Sequence, residues 1–173
     1  LVKEGIKHST ISVVGNSVVD AMALLTTGRI DSGVKNRTSI LVTMHRRENW
    51  GEPIFAVANE LKNFAKEHSE FEIRWVLHSN PALAISVSEI LHNIENIFLL
   101  EPLPYKLMLE ELMSTDIVLT DSGGIQEEAP SFKKPVIVLR KQTERQEGID
   151  SGIAKLVDPM EFVPSMIIDF LQN

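Results

Sequence analysis

Short runs of apolar, β-branched residues alternate with longer stretches in which apolar positions recur every three to four residues. The first kind predicts strands and the second amphipathic helices. On that basis strands are expected at Thr10–Gly15 ("TISVVG"), Thr38–Met44 ("TSILVTM"), Phe71–His78 ("FEIRWVLH"), "NIFLL", Asp116–Thr120 ("DIVLT"), "PVIVL" and "IAKLVD". Helices are expected over "SVVDAMALL", which "TTGRIDSG" breaks, over about Pro53–His68 and Pro81–His92, over "YKLMLEELMS", from Gly124 to about Ser131, and from near Met160 onward. Strands apolar along nearly their whole length are buried on both faces, which requires parallel strands covered by helices. Repeated strand–helix units therefore predict an α/β domain, a Rossmann-like doubly wound parallel sheet.

Composition narrows the picture. A chain of 173 residues with 43% hydrophobic content forms one compact domain with a core of its own. It has no cysteine, which removes disulfides, thiolate metal sites and cysteine nucleophiles. A net charge of −7 argues against a general nucleic-acid surface, while leaving room for a local basic spot that holds one phosphate group. The apolar runs are too short to span a bilayer, and no His or carboxylate cluster has metal-ligand spacing. The first residue is Leu, and the chain ends within a helix-like pattern, so a piece of a larger protein is expected.

Ligands of doubly wound sheets sit beyond the carboxyl ends of the strands. The residues there are Gly15-Asn16, His45 to Asn49, His78 to Asn80, Glu101, Asp121 to Gly124, and Arg140 running on to "TERQE". In "TDSGGIQEEAP" the glycine pair opens a helix, offering free amides and the positive end of its dipole. With the Ser122 hydroxyl, Gly123 and Gly124 suit a phosphate or diphosphate, although Ser122 also reads as an ordinary N-cap. Glu128 can accept hydrogen bonds from a ribose diol; dipole preference alone would also place Glu127 and Glu128 here. "HRREN" concentrates two arginines beside His45, suited to phosphate binding or proton movement, or to plain pairing with Glu48 and Glu52. His78 is either a turn histidine or a further phosphate contact, and "TERQEGIDSG" is either a clamp or a solvated loop.

Together, "GNSVVDA", "TMHRREN", "HSNP", "EPLPY", "LTDSGGIQEEAPS", "KPVIVLR" and "TERQEG" resemble the non-hydrolysing UDP-N-acetylglucosamine 2-epimerase family, from about residue 5 to about residue 158. The resemblance implies a two-domain fold of the glycosyltransferase-B type, of which residues 1–173 correspond to the C-terminal, UDP-binding half. It puts UDP on Ser122, Gly123 and Gly124, with Glu128 on the ribose, Leu103 and Met108 beside the uracil, and Arg145 facing the substrate. It makes His45 catalytic and places Arg46 and His78 at a second, allosteric UDP-N-acetylglucosamine. Gln146 and Ser79 depart from the family pattern, which has proline, and proline or leucine, at those positions.

The chemistry it implies is elimination of UDP and re-addition with C2 inverted, interconverting UDP-N-acetylglucosamine and UDP-N-acetylmannosamine. It implies no cofactor or metal, acid/base carboxylates in the other half, and a cytoplasmic homodimer serving polysaccharide synthesis. This half alone would be inactive. A glycosyltransferase half, a hydrolysing epimerase and a non-catalytic UDP-sugar-binding module remain as alternatives.

Overall fold

The computed structural model describes residues 1–12, 14–26 and 36–172. Six strands form one sheet: β1 (Thr38–Thr43), β2 (Phe71–Val76), β3 (Ile97–Leu100), β4 (Ile117–Thr120), β5 (Val136–Leu139) and β6 (Ala154–Val157). Their order is β3-β2-β1-β4-β5-β6, and every neighbouring pair is parallel. The α/β fold expected from the periodicity is therefore the one observed.

Alternation along each strand divides the core. Ile40, Val42, Ile73, Trp75, Ile117, Leu119, Ile137 and Leu139 face one side, where α2 (Glu52–Glu67), α3 (Pro81–Leu91) and α7 (Ser165–Gln172) cover them. Leu41, Val76, Val118, Val136 and Val138 face the other, under α1 (Ser17–Thr26), α4 (Tyr105–Ser114) and α5 (Gly123–Glu128). Two apolar layers on opposite faces explain why the strands read as unbroken hydrophobic runs.

Three expectations need correction. Thr10–Gly15 is not a strand: Thr10 closes a 3-10 turn (His8–Thr10), and residues 11, 12, 14 and 15 carry no sheet pairing, while residue 13 lies outside the described residues. The run has β propensity, but Val14 is 87% exposed and Gly15 turns the chain at φ 81°, so its described residues have no strand to pair with. The last helix starts at Ser165 rather than near Met160. Asp158 caps a short 3-10 turn over Pro159–Glu161, and Pro164 disfavours helical geometry at Val163. The "TERQEG" loop in turn contains a short helix, α6 (Gln146–Asp150), that the pattern did not indicate. Of "TTGRIDSG", Thr26 ends α1 and the rest lies outside the described residues.

Candidate functional site

The strand order reverses direction between β1 and β4, and the two richest sequence motifs emerge side by side there, at the strands' carboxyl ends. The Thr43 and Thr120 hydroxyls hydrogen-bond at 2.7 Å across the two strands. The Ser122 amide then donates to Thr120 Oγ1 at 3.0 Å, fixing the turn into α5. Ser122 caps that helix by accepting weakly from the Ile125 amide at 3.5 Å, so its N-cap role is real. The amides of Gly123 and Gly124 lie in the first turn, where no earlier helical carbonyl exists to accept them.

Arg145 lies over this helix start. A Cβ on Gly123 would come within 3.1 to 3.3 Å of the Arg145 guanidinium, tight enough that the guanidinium would have to give by a few tenths of an ångström. Arg145 Nε donates to Glu127 at 2.8 Å, and its Nη1 pairs with Glu144. Asn16 Nδ2 donates to the second Glu127 oxygen at 2.8 Å, tying the start of α1 to the same group. Arg140, 7% exposed, extends the network by pairing with Glu144 and Glu48, and Arg46 also pairs with Glu48. The plain ion-pairing account of "HRREN" thus holds for Arg46 with Glu48.

Glu128 is buried and accepts a hydrogen bond from the Tyr105 hydroxyl at 3.2 Å. Burial raises its pKa above the ordinary carboxylate value; the Tyr105 bond works against this and Glu127 adds to it.

His45 is held on several sides. Its amide donates to Asp121 Oδ1 at 2.9 Å, its carbonyl accepts from Trp50 Nε1 at 3.4 Å, and its ring Nε2 lies 3.2 Å from the Val76 carbonyl. A carbonyl only accepts, so Nε2 carries the proton and Nδ1 is the lone-pair nitrogen. Burial pulls its pKa below the usual imidazole value, while the Val76 carbonyl and Asp121 pull it up and nearby His78 pushes it down. The His78 ring sits 5.2 Å from that of His45 and 5.1 Å from Trp50, its Nδ1 accepting the Asn80 amide at 2.7 Å.

A cavity of about 320 Å³ opens between these elements, lined among others by His45, Leu103, Met108, Ser122 and Ile125. It joins residues from β1, β2 and the starts of α4 and α5 that are far apart in sequence. Beside it, a larger and more apolar groove of about 650 Å³ runs along α3, with His78 on its wall and Ser79 and Pro102 shared between the two. Of the ten residues expected to contact ligand, His45, Leu103, Met108 and Ser122 line the smaller cavity and His78 the larger, while Gly123, Gly124 and Glu128 lie on α5 with Arg145 over its start, and Arg46 pairs with Glu48.

The sequence reading gave no role to Asp121, Asn49, Tyr105, Arg140 or Gln126. Asp121 and Arg140 were recognisable as polar residues directly after strands, but their burial was not. The partners of Tyr105 and Gln126 depend on packing that no local pattern announces. Among the described residues no group of His, Asp or Glu is arranged to hold a metal ion, and no helix is long and apolar enough to cross a membrane.

The fold and its rim define the class: a Rossmann-like domain of the glycosyltransferase-B type, with its polar residues gathered at the switch point of the sheet. Within that class, residues 1–169 match the family described as UDP-N-acetylglucosamine 2-epimerase, and the chain belongs to that family. The UDP-N-acetylglucosamine 2-epimerase of Salmonella borreze is 41% identical over 172 residues, covering 92% of this chain and 46% of the relative. Staphylococcus aureus MnaA, solved with UDP, superposes with a TM-score of 0.88 at 33% identity, covering 99% of this chain and 48% of that one. The UDP-GlcNAc 2-epimerase of Neisseria meningitidis, solved with UDP-GlcNAc, gives 0.83 at 32%, covering 99% and 51%. The chain thus spans about half the length of the relatives it matches.

Proposed function

We propose that this chain is the C-terminal, UDP-binding half of an enzyme that interconverts UDP-N-acetylglucosamine and UDP-N-acetylmannosamine. The observation that carries this reading is the start of α5, where two first-turn amides follow the Ser122 hydroxyl and the Arg145 guanidinium lies over Gly123. Free amides, a helix dipole and a guanidinium form a receptor for a diphosphate. The S. aureus relative was solved with UDP and the N. meningitidis relative with UDP-GlcNAc, which supports the same ligand class here.

The remaining roles follow from position. Glu128, a turn and a half along α5, takes the ribose hydroxyls, and Leu103 and Met108 on the cavity wall pack beside the uracil. The diphosphate competes with Glu127 and Glu144 for Arg145, so binding releases carboxylates that hold the guanidinium in the free protein. Stabilising UDP as it departs lowers the elimination barrier, and His45 at the cavity serves the proton transfers. His78, on the wall of the larger groove, and Arg46 contact a second nucleotide sugar. The carboxylates that work at C2 come from the other half, so this half alone is inactive; the full-length protein acts as a homodimer in the cytoplasm.

The test is incubation of full-length protein with UDP-N-acetylglucosamine in deuterated water, without an acceptor. Deuterium at C2 and formation of UDP-N-acetylmannosamine are expected. Free N-acetylmannosamine would indicate a hydrolysing enzyme. UDP binding with no exchange at C2 would leave only a binding module, and transfer to an added acceptor would make it a glycosyltransferase.

A further inference from the structure

The strand tips carry a buried carboxylate that the proposed chemistry does not use. Asp121, 0% exposed, follows β4 directly and points back under the "HRREN" segment. It accepts the His45 amide at 2.9 and 3.1 Å on its two oxygens, the Arg46 amide at 2.9 Å and Asn49 Nδ2 at 2.9 Å. Asn49, itself buried, donates from the same nitrogen to the Leu139 carbonyl at the end of β5, at 3.0 Å. The Asp121 amide donates to the Thr43 carbonyl of β1. The Asp121 and Asn49 side chains together therefore lock the tips of β1, β4 and β5.

The consequence falls on His45. Its amide is bound to Asp121, its carbonyl to Trp50 and its Nε2 to Val76. Among the described residues Nδ1 has no hydrogen-bond partner. We propose that Asp121, together with Asn49, is a positioning residue for the epimerase reaction, locking the His45 backbone so that Nδ1 is the ring nitrogen that exchanges a proton. This rests on the role of His45 given above.

A buried carboxylate suits this task for two reasons. Four donor contacts satisfy its lone pairs, which offsets the cost of burying it. Its charge also stabilises the imidazolium formed when Nδ1 takes a proton. The titratable groups facing His45 are Asp121 just after β4 and His78 after β2, with Arg46 adjacent on its own segment; of these charged and titratable groups Asp121 is the one that favours the protonated ring, alongside the Val76 carbonyl. An apolar or amide residue at 121 could hold the loop in part but would supply no such charge.

The experiment is nitrogen-detected NMR of the imidazoles in this chain, with steady-state kinetics on the full-length protein, comparing wild type with Asp121→Asn. In the wild type His45 is expected as the Nε2–H tautomer. In Asp121→Asn its titration midpoint moves lower, and kcat falls roughly tenfold or more while KM changes far less. A folded variant with an unshifted midpoint, or with undiminished kcat, overturns the proposal. Should Asp121→Asn fail to fold by circular dichroism, Asn49→Ala keeps the charge and loosens the segment. Mixed His45 tautomers and a lower kcat are then expected, and an unchanged tautomer with unchanged kcat contradicts the proposal. If wild-type full-length protein shows no epimerisation, the functional reading fails, while the NMR comparison still decides the positioning of His45.

Discussion

Burial raises the proton affinity of Glu128, because the folded chain surrounds its carboxyl with Tyr105 and the wall of α5 instead of water. The sign of the effect on stability follows. A carboxyl whose folded pKa lies above its unfolded value contributes stability at acid pH that is lost as pH rises through the folded pKa. Glu128→Gln keeps an acceptor for Tyr105 and removes the charge. The stability of the variant relative to wild type is therefore expected to improve as pH rises from about 4 to 7. Urea denaturation across that range measures it, and a difference independent of pH would contradict the assignment. UDP affinity should fall roughly tenfold in the same variant, since the ribose loses a charged acceptor. Stability given up at a binding residue is the usual pattern at functional sites.

At the scale of elements, Asn96 shows how much of the frame rests on residues that no periodicity marks. Its buried amide donates to the carbonyls of Ala65, His68 and Phe71, joining the end of α2 and the start of β2 to the turn before β3. Asn96→Ala leaves three carbonyls at that junction without this donor and should cost about 2–3 kcal/mol in urea unfolding, without altering UDP affinity. A loss under about 0.5 kcal/mol would show that water or neighbouring groups replace the amide.

Six strands and most helices were legible because two-sided burial writes itself as apolar runs such as "ILV" and "VIVL". Thr10–Gly15 misled because the same residue types stand where the sheet has no place for them. The rim was legible for a related reason: residues just after parallel strands must gather at one edge. What stayed hidden was pairing between distant residues, such as Arg145 with Glu127 or Asp121 with Asn49. Those contacts depend on how loops fold back, and local patterns carry little trace of them.

For the whole molecule, the proposed reaction is divided between this chain and a second half. The groups proposed to bind UDP stand at and beside the cavity at the switch point, whereas the residues proposed to act at C2 are assigned to a second half. Binding and chemistry are then separable, and binding alone can be measured in this chain. The direct test is titration calorimetry of UDP and of uridine into this chain and into Gly123→Ala, whose added methyl crowds the helix start against the Arg145 guanidinium. Saturable UDP binding is predicted, at least roughly tenfold tighter than uridine and clearly weakened in the variant, because the diphosphate supplies the charge-assisted contacts. Uridine binding as tightly as UDP, or no UDP binding by the folded chain, would contradict the account.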